Sequence, residues 1–369
     1  MPKPPQNPGE RELIESLRAR VKAGVERPAR RKGERSRGRE ISGLRLGIGD
    51  DCAILDPPRD HEILVTTDFS LENVHFRRDW QPPESVGHRC LARGLSDLAA
   101  MGARPLAALL SLALSPELVR SRNEQPSWRD RFFAGFLALA DKYSVPLGGG
   151  DTAQSPRFSE TSHGSSTGLA LADIVLIGSA PRGRALLRSR AKAGDRIYVT
   201  GQLGGAGAEL AQIATSPRHF RGFTASAKSN DAPEINPHPH LFPEPRLAVG
   251  AWLLKNNRAT AAIDISDGLS TDLDHLCEES GVAAMLEARL IPIHPLAQSD
   301  PFTFALDGGE DYELLFTAAP EVRIPRCIAG VPIACIGKMR RRARNAPRMV
   351  LRKGNAEWPL HPAGWEHYQ

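Results

Sequence analysis

The chain has 369 residues and a formal net charge of +5; 41% of its residues are apolar and 25% charged, ordinary values for a globular protein with room for about two domains. Aromatic residues make up only 6%, which argues against a protein that stacks single-stranded bases. The chain has five cysteines, an odd number. No apolar run reaches the roughly 20 residues of a membrane-spanning helix. We therefore expect a cytoplasmic protein without a membrane segment, a secretion signal or a disulfide framework.

The positive charge is concentrated in two segments. Residues 1–40 hold twelve Lys or Arg against six Asp or Glu, and residues 338–353 hold eight basic residues and no acid. Such segments can bind nucleic acid, but no nucleic-acid motif accompanies them, so we interpret them as solvated tails and expect no nucleic-acid partner. The rest of the chain is acidic, with 28 basic residues against 37 acidic ones, and clustered carboxylates indicate divalent cations.

Hydrophobic periodicity predicts the elements of the first half. Residues 1–40 are expected to form a flexible basic extension with a short helix at 10–22, and ordered structure is expected from about residue 41. The further predicted elements are a strand at 61–67, a helix at 84–101, a strand or helix at 106–114, a helix at 128–143, a short segment at 145–150 and a strand at 169–177.

A stretch rich in Pro, Gly and Arg at 179–193 predicts a domain boundary near Gly178. The predicted elements beyond it are a strand at 196–200, a glycine-rich turn at 201–207 with a helix from 208, an inserted polar loop at 214–245, a helix at 246–255, a strand at 260–265, a helix ending at 279 and a strand at 313–317. Because helices and strands alternate in both halves, we expect two α/β or α+β domains, at 41–178 and 179–369.

Six acidic segments carry the chemistry that the sequence suggests. They are Gly49-Asp50-Asp51, Thr66-Thr67-Asp68, Leu95-Ser96-Asp97, Gly149-Gly150-Asp151, Asp264-Ile265-Ser266-Asp267-Gly268 and Gly308-Gly309-Glu310-Asp311. Mg²⁺ prefers one or two carboxylates together with phosphate oxygens, and glycines let backbone N–H groups approach those phosphates. Each segment alone is ordinary turn chemistry, but six together favour Mg²⁺-dependent phosphoryl transfer. A P-loop kinase is excluded because its glycine-lysine motif is missing.

Taken together, these segments resemble the thiamine-monophosphate kinase family of the aminoimidazole-ribonucleotide-synthetase-like ATP-binding superfamily. They occur in the family's order from about residue 44 onward, and two of them discriminate best within the superfamily. These are the Asp97 segment and Gly308-Gly309-Glu310-Asp311-Tyr312-Glu313-Leu314. The resemblance implies a two-domain α/β (α+β) fold whose N-terminal domain binds ATP and Mg²⁺ and forms a homodimer through its sheet.

The resemblance also implies an activity, the ATP-dependent phosphorylation of thiamine monophosphate to thiamine diphosphate. The implied transfer is direct and in line, with several Mg²⁺ ions and no phosphoenzyme. The implied metal ligands are Asp51, Thr66, Thr67, Asp68, Asp97, Asp151, Asp264 and Asp267. The implied ATP contacts are Gly150, Asp151, Arg188 and Ser266, and the implied thiamine monophosphate contacts are His75, Glu310 and Trp365.

Two positions depart from the family's usual pattern. Gly94 stands where the family usually has Asn, and Asn73 stands where it usually has Gly. Two other interpretations stay open at this point. One is another ATP-using member of the superfamily, such as an aminoimidazole ribonucleotide synthetase or a hydrogenase-maturation protein. The other is a basic-tailed binding protein that has kept the fold and lost catalysis.

Overall fold

The computed structural model describes residues 15, 43–48, 50–119, 126–159, 166–221 and 236–365, which form two compact units. The first unit comprises Met1–Arg78, Pro83–Gly94 and Pro105–Ser179, and the second comprises Asp79–Pro82, Leu95–Arg104 and Ala180–Gln369. The predicted extension at 1–40 lies, apart from residue 15, outside the described residues.

The elements of the first half alternate between strands and helices. They are β1 (Leu44–Leu46), β2 (Ile54–Leu55), β3 (His61–Leu71), α1 (Pro83–Ala100), β4 (Arg104–Leu114), α2 (Pro116–Val119), α3 (Trp128–Tyr143), β5 (Leu147–Gln154), β6 (Arg157–Ser159), β7 (Ser166–Gly168) and β8 (Leu171–Pro181). Within the described residues, four of these strands form a sheet in the order β3-β8-β4-β5, with β4 and β5 parallel. The pairs β1-β2 and β6-β7 are antiparallel.

Helices α1 and α3 pack closely because glycines stand at their contact. A Cβ at Gly87 would lie 1.9 Å from the carbonyl oxygen of Phe132, and one at Gly135 would lie 1.9 Å from that of Glu84. Arg131 adds a bidentate ion pair to Glu84, at 2.8 and 2.9 Å. The start of α3 is fixed by a capping box, since Ser127 and Asp130 exchange side-chain and backbone hydrogen bonds.

The second half supplies a larger sheet. Its elements are β9 (Arg196–Thr200), α4 (Gly205–Thr215), α5 (Pro217–Arg221), α6 (Leu247–Lys255), β10 (Ala261–Ile265), α7 (Leu269–Ser280), β11 (Val282–Glu287), α8 (Pro301–Asp307), β12 (Glu313–Ala318), β13 (Cys327–Ile328), β14 (Val331–Arg341), β15 (Met349–Lys353) and β16 (Ala356–Leu360). Three 3₁₀ turns complete the set: Arg188–Arg190, Ala288–Leu290 and Pro295–Ser299.

Within the part of the chain that the structure describes, the sheet of the second unit runs β10-β12-β9-β14-β11-β15-β16, with β13 on β14. Its pairs are antiparallel except β11 and β15, which are parallel. One apolar core joins the sheet to α7, whose Leu269, Leu273 and Leu276 are fully buried. Their spacing of three and four residues is the helical period that the sequence displays.

The mixed α/β class is confirmed, and most predicted elements appear within a few residues of their expected bounds. The ambiguous run at 106–114 is a strand, β4. Helix α4 begins at Gly205, inside the stretch predicted as a turn. The segment at 145–150 is the start of β5, which continues through Asp151 to Gln154. No helix among the described residues is both long and apolar enough to cross a membrane.

Two expectations about basic and polar segments are wrong. Residues 338–353 are not a solvated tail, because they form the end of β14 and the whole of β15 inside the sheet. Among the described residues, three of their six arginines form ion pairs with acids: Arg340 with Glu357 at 2.7 Å, Arg348 with Asp274 at 2.6 Å, and Arg352 with Glu287.

The described part of 214–245 is not a plain loop either. It contains α5 and a packed segment at 236–245 whose His240 and Leu241 are buried, while 222–235 lies outside the described residues. The sequence did not predict this packed segment because it has no hydrophobic periodicity. Hydrogen bonds from its backbone to a side chain hold it in place, not a repeating apolar face.

Candidate active site

A cavity of about 720 Å³ in the first unit collects two of the acidic segments. It is lined by both apolar side chains and carboxylates. The apolar ones are Leu109, Leu112, Phe133, Leu147 and Ile177, and the carboxylates are Asp50, Asp51 and Asp151. All three carboxylates are exposed. The cavity therefore combines an apolar lining with hard oxygen donors, a combination that suits a ligand with both a ring and phosphates.

Local backbone geometry presents Asp151 to this cavity. Gly150 has a φ of 145°, and a Cβ there would lie 1.8 Å from the carbonyl oxygen of Leu110, so only glycine fits. The Asp151 carboxylate accepts a hydrogen bond of 2.8 Å from the backbone N–H of Thr152. The Asp50 carboxylate similarly accepts 3.0 Å from the N–H of Asp51.

The predicted ligands of β3 point to two faces of the sheet. Thr66 and Asp68 are half-buried on the face that also carries the buried Leu64, whereas Thr67 lies on the opposite, more exposed face. Thr67 donates a hydrogen bond of 2.7 Å to Asp173. None of these three predicted ligands is among the described residues that line the cavity.

His75 lies in a tight turn that follows β3. Its Nδ1 accepts a hydrogen bond of 3.1 Å from the N–H of Leu71, so the proton of the neutral imidazole is on Nε2. Asn73 in the same turn has a φ of 68°. Asn adopts this left-handed conformation more readily than other residues with a Cβ, which explains why it can replace the family's usual Gly.

The second position that departs from the family's usual pattern is Gly94, and it packs closely against Leu176. A Cβ at Gly94 would lie 3.0 Å from Cγ of Leu176 and 3.3 Å from its Cβ. Leu176 is fully buried, so an Asn at this position would require the leucine to shift. This substitution changes a helix-to-sheet contact and leaves the following Asp97 in place on α1.

The second unit holds the other predicted ligands. Asp264, at the end of β10, is only 3% exposed and accepts a hydrogen bond of 2.7 Å from Ser96, the neighbour of the half-buried Asp97 on α1. This bond links the Asp97 segment to the Asp264 segment within one unit. It also fixes the orientation of the Asp264 carboxylate.

Asp272 positions the loop after β10. Its Oδ2 accepts hydrogen bonds from the backbone N–H groups of Ser266, Asp267 and Gly268, at 3.0, 3.1 and 3.2 Å. Burial, together with the nearby charges of Asp264 and Asp267, raises the pKa of Asp272 well above its usual range. The loop that carries two predicted contacts, Ser266 and Asp267, is therefore held by one carboxylate on α7.

The Gly-Gly-Glu-Asp-Tyr-Glu-Leu motif places three acids in three different roles. Asp311 accepts hydrogen bonds from Gly204 and Ala206 at the start of α4, at 2.7 and 3.2 Å, and burial raises its pKa to about 7. Those N–H groups are thus taken by a carboxylate, which explains why the glycine-rich turn before α4 is not a phosphate cradle.

The other two acids of the motif have side-chain partners. Glu313 forms a two-fold ion pair with Arg246 and accepts a hydrogen bond of 2.5 Å from Thr200. Glu310 has a φ of 57°, donates its backbone N–H to the Ser266 carbonyl at 2.7 Å and lies 3.1 Å from His240 Nδ1. Of Glu310, Asp311 and Glu313, only Glu310 was predicted as a contact of thiamine monophosphate.

The remaining predicted contacts are exposed. Arg188 lies in a 3₁₀ turn with its side chain in solvent. Trp365 is 57% exposed, and its backbone N–H donates 3.1 Å to the carbonyl of Asp267. Trp365 is therefore hydrogen-bonded to the loop that carries Asp267, a predicted metal ligand.

The predicted metal ligands fall into two sets, one in each unit. The first set is Asp51, Thr66, Thr67, Asp68 and Asp151, and the second is Asp97, Asp264 and Asp267. Across the described residues, no group of three His, Cys, Asp or Glu side chains forms a ready metal cluster. Mg²⁺ nevertheless fits this chemistry, because it takes one or two carboxylates and fills its other positions with water and substrate phosphate oxygens.

Comparison with known proteins assigns the family. The model of the AIR synthase related protein N-terminal domain matches residues 49–178. The thiamine-monophosphate kinase of Haemophilus influenzae is 33% identical over 337 residues, covering 88% of this chain and 92% of its own. The chain belongs to the thiamine-monophosphate kinase family. The resemblance drawn from the acidic segments is thereby confirmed.

Two solved structures of this family are similar to the chain. The thiamine-monophosphate kinase from Stenotrophomonas maltophilia K279a has a TM-score of 0.68 and 31% identity, over 92% of this chain and 95% of its own. The structure of AaThiL complexed with AMPPCP and TMP has a TM-score of 0.65 and 26% identity, with full coverage of both chains.

Sequence reasoning missed several residues of this thiamine-monophosphate kinase family member. Asp272 and His240 contact predicted site residues, whereas Asp311 and Glu313 fix other parts of the second unit, and the sequence predicted a role for none of the four. Asp311 and Glu313 did stand in a recognised motif, so their position was a signal. His240 gave none, because its contact with Glu310 joins residues 70 positions apart.

Proposed function

We propose that this chain transfers the γ-phosphoryl group of ATP to thiamine monophosphate and so forms thiamine diphosphate and ADP. The single observation that supports this most is the 33% identity with a thiamine-monophosphate kinase over 88% of the chain. The relative complexed with AMPPCP, an ATP analogue, and TMP indicates the two kinds of substrate. The acids expected of a catalytic member are all present, which argues against a binding protein that has lost catalysis.

The proposed reaction needs no nucleophile from the protein. An oxygen of the thiamine monophosphate phosphate attacks the γ-phosphorus of ATP, a new P–O bond forms, and the bond to the ADP oxygen breaks. Catalysis of such a transfer consists mainly of positioning the phosphates and offsetting their charge. Mg²⁺ held by carboxylates of this chain would supply that charge compensation.

The proposed Mg²⁺ ligands are the two sets of residues described above, one in each unit. Asp51 and Asp151 are the strongest candidates, because both are exposed and line one cavity. Asp97, Asp264 and Asp267 are the candidates in the second unit, with Thr66, Thr67 and Asp68 on β3. Asp264 is already oriented by Ser96, which reduces the entropy lost when its carboxylate binds an ion.

The proposed substrate contacts are those that the family resemblance implies. Gly150 and Asp151 are the proposed ATP contacts beside the cavity, with Arg188 and Ser266 as further contacts. For thiamine monophosphate we propose His75, Glu310 and Trp365. The Nε2–H of His75 suits a phosphate oxygen, a Glu310 carboxylate suits an aminopyrimidine or a thiazolium charge, and an exposed indole suits stacking on a ring.

We also propose a homodimer formed through β3. Ile63, Val65 and Phe69 alternate along this strand and are 44%, 64% and 59% exposed, which is unusual for large apolar side chains on one strand. A second copy of the chain would bury that row. Light scattering should give twice the chain mass of 40.1 kDa, and Val65→Lys should shift the protein toward the monomer.

The activity is tested with purified protein, ATP, Mg²⁺ and thiamine monophosphate, with thiamine diphosphate as the readout. Thiamine is the matched control substrate, because it lacks the phosphate oxygen that receives the γ-phosphoryl group. We expect thiamine diphosphate from thiamine monophosphate and none from thiamine. ADP formation without thiamine diphosphate would contradict the proposal and favour another ATP-using reaction of the superfamily.

A further inference from the structure

The buried imidazole of His240 lies against a predicted substrate carboxylate. His240 is 1% exposed, and its Nδ1 is 3.1 Å from Oε2 of Glu310. His240 belongs to the segment at 236–245 that sequence analysis treated as an inserted polar loop. The structure therefore connects that segment to the Gly-Gly-Glu-Asp motif.

The segment is anchored, so this contact is not a chance encounter of mobile side chains. Glu209, on α4 and 1% exposed, accepts hydrogen bonds from the backbone N–H groups of His240 and Leu241 through Oε2, at 2.8 and 3.2 Å. Its other oxygen lies 2.8 Å from Nδ1 of His238. One buried carboxylate thus holds the backbone on which the imidazole is mounted.

The imidazole is also oriented from its far side. Nε2 of His240 lies 2.8 Å from the side-chain nitrogen of Gln81, which is a donor. Because Nε2 accepts from Gln81, the proton of the neutral ring is on Nδ1, which faces Glu310. The Nδ1–H of neutral His240 is then 3.1 Å from Oε2 of Glu310, a close polar contact with the carboxylate that lacks hydrogen-bond geometry.

The backbone of Glu310 is fixed as well. Its N–H donates 2.7 Å to the carbonyl of Ser266, and the next residue, Asp311, is bonded to the start of α4. Glu209 is on that same helix. The helix α4 therefore supports both the Glu310 backbone and the His240 backbone, and it sets the distance between them.

We infer that His240 is a positioning residue that holds the Glu310 carboxylate for the cationic, amino-bearing end of thiamine monophosphate. The inference rests on the proposed function, because it assigns Glu310 to that substrate. A carboxylate in close contact with one neutral N–H keeps its charge and loses rotational freedom, so it binds a cation or an amino group at a smaller entropic cost. The segment at 236–245 is thus part of substrate selection.

The test replaces the imidazole in two ways. His240→Phe keeps an aromatic ring, although a larger one, and removes the donor, whereas His240→Asn retains an N–H close to the place of Nδ1. We expect His240→Phe to raise KM for thiamine monophosphate about tenfold, with KM for ATP and kcat within about twofold. His240→Asn should stay within about threefold of the wild-type KM.

The matched control is His238→Gln. It alters a histidine of the same segment that contacts Glu209 and not Glu310, so it reports on the anchoring alone. We expect KM for both substrates to stay within about twofold. A rise in both KM values for His240→Phe, or an equal effect of His238→Gln, would show a merely structural role and overturn the inference.

A double-mutant cycle decides whether His240 acts through Glu310. With Glu310→Gln already in place, His240→Phe should add less than about twofold to KM for thiamine monophosphate. Full additivity would overturn the inference while leaving the proposed function intact. A wild-type protein that makes no thiamine diphosphate would instead overturn the proposed function, so the two failures are distinguishable.

Discussion

The carboxylates of the two units differ in how they are held. In the first unit, Asp50, Asp51 and Asp151 are exposed in a cavity, and the hydrogen bonds described for them join neighbouring residues. In the second unit, Asp272 and Asp311 are buried and accept hydrogen bonds from backbone N–H groups of other segments. The first arrangement leaves carboxylates accessible to a cation, whereas the second uses carboxyl oxygens as hydrogen-bond acceptors that fix loops. Exposed and buried aspartates are therefore suited to different tasks, the first to cation binding and the second to holding loops.

The largest effect that we expect is on activity, from Asp151→Asn in the first unit. The amide keeps the shape and one oxygen but removes the negative charge that attracts a cation, so turnover should fall about a hundredfold or more. Raised Mg²⁺ should restore part of the loss, and the melting temperature should hardly change. Steady-state kinetics and thermal melting of one preparation measure both quantities.

The control for Asp151→Asn is Asp141→Asn. Asp141 is an exposed acid of α3 outside the cavity, so the same change of charge should leave turnover unaltered. If Asp151→Asn instead turned over normally at saturating ATP, the contrast between the two units would fail, and Asp151 would be a turn residue only.

The second prediction concerns stability in the second unit. Asp272→Ala removes the oxygen that accepts three backbone hydrogen bonds and should lower the free energy of unfolding by about 2 kcal/mol or more. Asp272→Asn should cost less than about 1 kcal/mol, because all three bonds go to one oxygen that an amide can replace. Denaturant unfolding of both variants checks this; equal losses would show that the charge matters rather than the acceptor.

The third prediction is a pH dependence that arises from Asp311. Its folded pKa, raised from 3.8 to about 7, means that the folded state binds a proton more tightly than the unfolded state. This carboxyl therefore makes stability fall as pH rises between about 4 and 7, with no further change above that range. Asp311→Asn should remove this part of the decline, a difference of about 1 kcal/mol or more.

The measurement for Asp311 is the melting temperature of both proteins from pH 4 to pH 8. The difference between wild type and Asp311→Asn isolates this group, since the other titrating residues are common to both. A difference that is constant across the range would contradict the assignment of the pH dependence to Asp311.

The smallest expected effect tests a backbone conformation in the first unit. Asn73, with a φ of 68°, should be replaced by Gly at a cost of less than about 0.5 kcal/mol. Asn73→Ala should cost about 1 kcal/mol, because the methyl group disfavours the left-handed region. Calorimetric melting of the two variants ranks them, and the opposite order would contradict the account of this departure from the family.

The fold class and the main helices and strands could be read from the sequence because their apolar periodicity is strong. The two helices α1 and α3 and the strand β12 are examples. Strands β14 and β15 were missed because the basic residues at 338–353 were interpreted as a solvated tail, and the backbone pairing with β9, β11 and β16 reveals that both strands are inside a sheet. Local propensity does not contain such pairings.

The residues of the candidate site also differ in whether the local sequence indicates them. Asp151, Asp267 and Glu310 stand next to glycines or small polar residues, which is a local signal, and the family resemblance depends on those segments. Residues that act through tertiary hydrogen bonds have no local signal. His240 meets Glu310 across 70 positions, and Ser96 meets Asp264 across 168, so neither contact could be inferred without coordinates.

The outermost strand of the larger sheet has a consequence for solubility. In the sheet order of the described residues β16 is last, with a largely exposed row of side chains that includes Trp358 at 49%. An open strand of this kind can recruit the backbone of another molecule and start ordered aggregation. Pro359 has no N–H to offer, and Glu357 adds a charge beside it, so the strand is a poor template for such growth. The protein should therefore tolerate high concentration despite the exposed indole.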